Sequence, residues 1–176
     1  AKSLGDYVIL GQTLDDAAGE AFDKGAKMLG LDYPGGPEIE KNSIGGDKGK
    51  YKFTIPRMKE KPLNFSFSGL KTSLYYKIIK MNTEEIKKNL PHLCASFQEA
   101  IIETLLSRLK KVIKDYDVNN VSIVGGVSVN KRFREKSKYL ENDFKIKIFF
   151  PDLQYCTDNG AMIAMAGYMK YINNDI

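Results

Sequence analysis

The chain has 176 residues, of which 43% are hydrophobic and 28% are charged, and its formal net charge is +5. This balance is typical of a soluble globular protein of about one domain, and no apolar run approaches the ~20 residues that a membrane-spanning helix needs. The excess of Lys and Arg is compatible with a polyanion such as RNA as a partner, although solvation of helix faces explains it equally well.

The first third of the chain alternates β-favouring and helical patterns. Residues 7–10 form a short apolar run that predicts a strand. Asp15 opens a segment with apolar residues at helical spacing, and Gly30 ends that helix as a C-cap. In residues 33–37, Tyr-Pro-Gly-Gly-Pro, two prolines fix φ beside two permissive glycines, and this combination predicts a turn. Residues 42–52 are polar and contain glycine, so we expect a mobile loop there.

The middle of the chain is predicted to be mainly helical. Residues 64–67 alternate polar and apolar side chains as a strand does, and Ser68 is placed to cap a following helix of about a dozen residues. Pro91 is expected in the first turn of a further helix, where proline is tolerated. An apolar stripe over residues 93–116 makes that helix the predicted core of the fold.

The last third contains a strand-turn-helix pattern. Residues 121–124 predict a buried strand that ends in a Gly-Gly turn, and a helix is expected from about Lys131. Residues 145–150 predict a second strand, and Asp158 is expected to begin a last helix rich in small residues. Because strands and helices alternate here, we predict an α/β layer fold.

The segment 125–130, Gly-Gly-Val-Ser-Val-Asn, is a candidate nucleotide site. Glycines after a strand let a nucleotide approach the backbone, and the N–H groups at the start of the next helix face an anion. The same turn is also common as a plain tight connection, and it lacks the spaced Gly-x-Gly-x-x-Gly pattern. Both interpretations stay open.

Asp158 has two interpretations as well. At a helix start its carboxylate caps backbone N–H groups. As a metal ligand it needs partners, because a hard cation takes several ligands. The chain has one histidine, His92, and no pair of histidines at i and i+4.

Acidic residues are concentrated in the first predicted helix. The positive helix N-terminus favours the early ones without any function, but Asp23 lies deeper than that effect usually reaches. With the 34–37 turn and Glu40 it is a candidate for a polar pocket that binds a ribose. Ser66 and Ser68 are expected to be capping residues rather than nucleophiles, because no histidine lies near them in sequence.

Five ordered blocks of the chain resemble the TsaD family of tRNA threonylcarbamoyltransferases, whose archaeal and eukaryotic members belong to the KEOPS complex. The blocks are residues 10–24, 29–37, 65–72, 125–130 and 156–164. The resemblance implies an actin- and Hsp70-like ATPase fold (ASKHA, RNase H-like), in which two related halves clasp a nucleotide. This chain resembles the second half, with an inserted helical segment.

The resemblance also implies a domain organisation. Residues 1–176 are expected to be a single C-terminal nucleotide-binding portion of a two-domain protein. Residues 12–110 are expected to be a largely helical segment with a loop at 42–61, and residues 111–176 an RNase H-like α/β core.

The activity implied by the resemblance is tRNA threonylcarbamoyladenosine biosynthesis. Threonylcarbamoyl is moved from threonylcarbamoyl-adenylate to the adenosine adjacent to the anticodon in tRNAs that decode ANN codons. Residues at positions that match the family's motifs are implied to contact ATP or the adenylate. The two glycines of the Gly-Gly turn are added to them as candidates. The expected nucleotide-binding residues are Asp23, Gly36, Glu40, Gly125, Gly126 and Asn130.

Asp158 matches the family's metal ligand, whose two histidine partners lie in the first half. The resemblance therefore implies one divalent ion, iron, zinc or magnesium, in the full-length protein. Since the chain supplies one ligand of three, we expect it to be inactive alone and assign no catalytic residue.

The expected partners are tRNA and either TsaB- and TsaE-type subunits or KEOPS-type subunits. A face normally covered by the first half also predicts self-association. Cys94 and Cys156 show no metal-binding spacing, and the chain start shows no signal-peptide core, so we expect a cytoplasmic protein without membrane contact.

Three alternatives remain. A non-catalytic shortened paralogue that acts as a partner subunit is expected to lose motif residues. An ASKHA-type small-molecule kinase is expected to share the strand-Gly-Gly-helix element but not the block at 15–24. A secreted metallo-glycoprotease is opposed by the lone histidine and by the chain start.

Overall fold

A computed structural model describes residues 1, 3, 5–55, 58 and 60–173, in two compact units that comprise residues 1–118 and 119–176. The described residues contain six α-helices and one two-stranded parallel sheet, which confirms the predicted α/β class. The domain boundaries stay a prediction, and residues 56, 57 and 59 of the expected 42–61 loop lie outside the described residues. No helix in the described ranges is both long and apolar enough to cross a bilayer.

The first unit is built from four helices, α1 (Ala18–Met28), α2 (Gly35–Asn42), α3 (Ser68–Ile78) and α4 (Thr83–Asp115). Phe22, Phe67 and Phe97 are buried among them. A side chain at Gly25 in α1 would collide with the ring of Phe97 in α4. Glycine therefore lets these two helices approach closely, and their contact forms the centre of the unit.

The segment predicted as a turn at 33–37 is partly helical, because α2 begins at Gly35. Pro37 lies in the first turn of α2, where the missing N–H would have no partner inside the helix. Pro34, the N-cap, offers no side-chain acceptor. The acceptor is instead the carboxylate of Asp23 in α1, which receives a 2.8 Å hydrogen bond from the Gly35 N–H. The sequence pattern missed this helix because its cap lies 12 residues away.

Neither of the first two predicted strands forms. Residues 7–10 are exposed and have no paired neighbour in the part of the chain that the structure describes. In residues 64–67 there is one isolated parallel bridge, between Phe65 and Thr13. Ser68 is the first residue of α3, and the cap position is held by Phe67, so the prediction of Ser68 as the N-cap is wrong.

The core helix α4 begins earlier than predicted. Asn82 and Glu85 form a capping box, with Asn82 Oδ1 accepting from the Glu85 N–H and the Asn82 N–H donating to Glu85 Oε2. Pro91 is therefore the ninth residue of the helix and not part of its first turn. The prediction failed because it took Pro91 as a first-turn residue, although Ile86 and Leu90 extend the apolar stripe before it.

The loop after α2 is tied to α4 at several points. The Asp47 N–H donates to His92 Nδ1 at 2.9 Å, and the Tyr51 N–H donates to Ser96 Oγ at 3.2 Å. Ser96 Oγ also donates to the Asp47 carbonyl. His92, the one histidine of the chain, therefore accepts a structural hydrogen bond.

The second unit is a β-α-β crossover followed by a helix. Strand β1 (Asn120–Ser122) pairs in parallel with β2 (Lys147–Phe149), and Val121 lies opposite Ile148. Helix α5 (Lys131–Phe144) connects them, as parallel strands require. Both strands are shorter than predicted, and α5 begins where the sequence places it. Helix α6 (Gly160–Ile172) ends the described chain and has no buried residue.

Candidate functional site

The predicted site residues are divided between the two units. Asp23, Gly36 and Glu40 belong to the first unit, and Gly125, Gly126, Asn130 and Asp158 belong to the second.

Asp23 lies in α1 and faces the start of α2. Its Oδ1 accepts the Gly35 N–H, and it lines an open groove of about 350 Å³. Gly35 must be glycine, because a Cβ there would lie 2.6 Å from the Asp23 Cα. The groove also contains residues that the sequence patterns did not single out, among them the exposed Tyr33. Its lining comprises Glu20, Asp23, Lys24, Lys27, Leu31, Asp32 and Tyr33.

Gly36 is adjacent to the contact between Asp23 and Gly35, and Glu40 is not. A Cβ at Gly36 would meet no atom within 4 Å, so the backbone there is open to a ligand. Glu40 lies four residues further along α2, about 6 Å along the axis at 1.5 Å per residue. The structure therefore brings Asp23 and Gly36 together and leaves Glu40 about one turn away.

Asp15, predicted to open α1, instead caps α3. Its carboxylate accepts hydrogen bonds from the hydroxyls of Ser66 and Ser68, at 2.6 and 2.7 Å, and from the N–H groups of Phe67 and Ser68. Burial opposes its ionisation, but these bonds outweigh that effect and lower the pKa of Asp15 to about 2. The serine hydroxyls therefore donate to the capping carboxylate and do not themselves cap α3, and the acceptor comes from 51 residues away.

Asp16 is the most buried carboxylate of this region, with 9% of its surface exposed. It pairs with Lys24 of α1 at 2.7 Å and with Lys71 of α3. Burial opposes its charge, yet the hydrogen bonds and charges of the two lysines lower its pKa. Asp15 and Asp16 together fix α3 to α1, the helix that carries Asp23.

In the second unit, the Gly-Gly turn follows β1 as predicted. Gly125 has φ +89°, a left-handed conformation that other residues rarely adopt. Gly126 begins a short 3-10 turn that ends at Val129. A Cβ at Gly126 would lie 3.9 Å from the Thr157 side chain, so the turn and the segment just before Asp158 are neighbours.

Asn130 is the N-cap of α5 and is 7% exposed. Its Oδ1 accepts a 2.9 Å hydrogen bond from the Phe133 N–H. The structural role of Asn130 is therefore clear, and any contact to a nucleotide would have to be made beside this cap. A substitution at Asn130 that removes both the helix cap and the nucleotide contact would not show which of the two caused its effect.

Arg134 was not predicted, and it connects the Gly-Gly segment to the loop before Asp158. Its Nε donates to the Ser128 carbonyl at 2.6 Å, and its Nη2 donates to the Pro151 carbonyl at 3.1 Å and to Cys156 Sγ at 3.4 Å. Nothing in the local pattern of α5 distinguishes this arginine from the surrounding surface charges.

Asp158 does not cap α6. That role belongs to Asn159, whose Oδ1 accepts from the Met162 N–H at 3.0 Å, so the interpretation of Asp158 as an N-cap is wrong. The Asp158 side chain is exposed and makes no hydrogen bond or ion pair with the residues described. No group of three or more His, Cys, Asp or Glu residues in the described part could hold a metal ion.

A larger cavity of about 520 Å³ in the first unit contains none of the predicted site residues. It is bordered by the unpaired apolar residues Ile9 and Leu10 and by the Lys111–Asp115 ion pair. Because the groove at Asp23 contains a predicted site residue and this cavity contains none, the groove is the better candidate for a nucleotide site.

Comparison with known proteins identifies relatives over almost the whole chain. The family model TsaD, described as tRNA N6-adenosine threonylcarbamoyltransferase, matches residues 1–165. The chain is 50% identical over 170 residues to the protein of that name from Thermosipho africanus, covering 97% of this chain and 51% of the relative. Proteins of the same name from Christiangramia forsetii and Francisella philomiragia are 48% and 46% identical, over 95% and 98% of this chain and 49% and 52% of the relatives. The chain thus spans about half the length of the curated relatives it matches.

Proposed function

The chain belongs to the family of tRNA N6-adenosine threonylcarbamoyltransferases, and on this premise we propose that the full-length protein synthesises threonylcarbamoyladenosine in tRNA. It transfers threonylcarbamoyl from threonylcarbamoyl-adenylate to the adenosine adjacent to the anticodon in tRNAs that decode ANN codons. This chain supplies nucleotide-binding residues and is inactive alone. The paralogue and kinase alternatives are not favoured, because relatives at this level of identity carry the transferase name.

The proposed fold is the second half of an actin- and Hsp70-like ATPase fold. In this proposal residues 12–110 are a largely helical insertion, and residues 111–176 are the RNase H-like core. The crossover from β1 through α5 to β2 supports the second assignment, because it is the repeating unit of such α/β cores.

We propose that Asp23, Gly36 and Glu40 contact the nucleotide in the first unit. Asp23 Oδ1 is occupied by the Gly35 N–H, which orients the carboxylate so that its second oxygen can accept a ribose hydroxyl. The open backbone at Gly36 permits close approach of the ligand. For the second unit, taken by itself, we propose that Gly125, Gly126 and Asn130 contact a nucleotide phosphate, because they precede the N-terminus of α5.

The metal proposal rests on the side chain of Asp158. A carboxylate that caps nothing and is exposed beside a glycine turn is available as a ligand. The described residues do not complete a site around it, so we propose that two histidines of the full-length protein join Asp158 in holding one iron, zinc or magnesium ion. Such an ion would polarise a carbonyl or phosphate oxygen of the adenylate.

The proposed partners are tRNA and TsaB- and TsaE-type subunits, or KEOPS-type subunits in the corresponding complexes, and the proposed compartment is the cytoplasm. The family name supports tRNA as the substrate. The net charge of +5 is compatible with it.

The test is calorimetric titration of the 176-residue chain with ATP and with a stable threonylcarbamoyl-adenylate analogue, with and without a divalent ion. We expect weak binding that does not depend on the ion and is reduced in Asn130→Ser. Serine keeps an acceptor for the Phe133 N–H but removes the amide, so the variant separates ligand contact from capping. Asp158→Asn should bind as the parent chain does.

Two results would contradict the proposal. Absence of any nucleotide binding would remove the proposed role of this chain. Tight, ion-dependent binding that is lost in Asp158→Asn would mean that the chain completes a metal site by itself.

A further inference from the structure

Helix α3 has one face that neither the fold nor the nucleotide site uses. Its buried face is formed by Leu70, Leu74 and Ile78, spaced four residues apart. The opposite face exposes Tyr75 and Tyr76, and Ile79 and Lys80 are exposed directly after the helix; we call these four residues the α3 surface. Tyr75 is 49% exposed and Tyr76 is 57% exposed, and their rings meet edge to face with centroids 5.7 Å apart.

Lysine is the one charged residue type in the segment that contains the α3 surface. Residues 61–83 contain four lysines and no acidic residue, and Glu84 and Glu85 follow at the start of α4. Lys71 is neutralised by Asp16, and Lys77 lies 5.3 Å from the ring centroid of Phe53. Lys80 is exposed and forms no ion pair within the described ranges. The surface therefore combines two exposed aromatic rings with one exposed lysine, Lys80, that forms no ion pair with the described residues.

We propose that the α3 surface is a docking surface for unpaired bases of RNA, namely the anticodon loop of the substrate tRNA. This inference rests on the proposed function and adds the place where the RNA is held. Unpaired bases stack on tyrosine rings without regard to sequence, and neighbouring lysines attract the phosphates.

The composition of the surface favours RNA over a protein partner. The buried centres of protein interfaces are poor in lysine, whereas Lys80 lies within the α3 surface itself. The acidic residues that follow are Glu84 and Glu85, and Glu85 is engaged in capping α4. A protein partner is therefore the weaker interpretation, and the experiment below separates the two.

Helix α3 packs against α1, the helix that carries the candidate nucleotide residue Asp23. The N-terminus of α3 is fixed by Asp15, which precedes α1 and its Asp23. Tyr75 is seven residues from Ser68, about 10 Å along the helix axis. Bases held on the α3 surface would therefore be bound to a helix that packs against the helix carrying Asp23.

The experiment measures binding of a fluorescently labelled anticodon stem-loop RNA to the 176-residue chain by anisotropy at several salt concentrations. Tyr75→Ala/Tyr76→Ala should weaken binding by about 5- to 150-fold for each base that stacks on the rings, and the matching double Phe variant should bind within about 2-fold of the parent because it keeps both rings. The plot of log K against log salt has a negative slope, and Lys80→Gln should make it less steep by about 0.7, the value for one phosphate contact to a single strand.

Matched controls are Tyr139→Ala, an exposed tyrosine of the basic helix α5, and Lys48→Gln, an exposed loop lysine. Neither should change RNA binding. Titration of the double Ala variant with ATP should give the parent affinity, and its thermal melt should match the parent, because both rings are exposed.

Three results would overturn the inference. In the first, the chain binds nucleotide but not the RNA, which leaves the proposed nucleotide role intact. In the second, the double Ala variant binds the RNA as the parent does, or no worse than Tyr139→Ala. In the third, the tyrosine substitutions change only protein association in sedimentation, which would identify the α3 surface as a protein interface.

Discussion

At the scale of single residues, the carboxylate of Asp15 does more than the sequence pattern indicates. It accepts two hydroxyl and two backbone hydrogen bonds at the start of α3. Its folded-state pKa of about 2 is below the ordinary value of 3.8. A lowered pKa means that the ionised form contributes stability above pH 4 and that this contribution is lost as the pH falls towards 2.

Asp15→Asn should therefore lower the free energy of unfolding at pH 7 by about 1–2 kcal/mol, because the charge-assisted bonds of the cap are lost. The difference between variant and parent should shrink between pH 5 and pH 2. Urea unfolding followed by circular dichroism at each pH measures both effects. The control is Asp115→Asn, which breaks an exposed pair with Lys111 and should cost less than about 1 kcal/mol. An equal loss in both variants would contradict the assigned cap.

The same residues show what local patterns predict about a site. The sequence predicts Ser66 and Ser68 as capping residues, but it predicts Asp15 as the start of α1 and not as a cap. Their pairing was not predicted, because 51 residues separate donor from acceptor. Arg134 was missed for the same reason, since its acceptors Ser128 and Pro151 are brought together only by folding.

At the scale of elements, the start of α2 combines structure and proposed function in two adjacent glycines. Gly35→Ala should lower the free energy of unfolding by about 1–3 kcal/mol, because its Cβ would lie 2.6 Å from the Asp23 backbone and 2.7 Å from Ala26. Gly36→Ala should leave stability unchanged or raise it by up to about 1 kcal/mol, because its Cβ meets open space.

The two variants separate packing from binding. Chemical unfolding measures the first property and nucleotide titration the second. Gly36→Ala should weaken nucleotide binding while the fold stays intact, because the added methyl occupies the space proposed for the ligand. Retention of full affinity in a folded Gly36→Ala chain would exclude this backbone from the nucleotide contact.

Element boundaries were predicted where the signal is local and missed where it is not. Helix α5 begins at Lys131 as expected, since Asn130 is both a common capping residue and the actual cap. Helix α4 begins earlier than predicted because the capping box at Asn82, and not Pro91, marks its start. The β-favouring run at 7–10 forms no strand in the described part of the chain, because a strand needs a hydrogen-bonded neighbour that its own residues cannot supply.

At the scale of the whole molecule, the α/β class and the family follow from the sequence, whereas the exposure of the last helix, α6, does not. The apolar composition of α6 is typical of a helix packed on a neighbour, yet none of its residues is buried. Ile163 and Met165 are 66% and 60% exposed. Contiguous apolar surface of this kind drives association in water.

We therefore expect the chain to self-associate through α6. Sedimentation velocity over a range of concentrations should show an average mass that rises with concentration, and Ile163→Lys/Met165→Lys should reduce the rise, because two charges on the helix must be desolvated at any contact. The control is Ile44→Lys, since Ile44 is 79% exposed and lies outside α6. A parent chain that stays monomeric at every concentration would contradict the prediction. An equal effect of Ile44→Lys would mean that added charge acts through general solubility and not through α6.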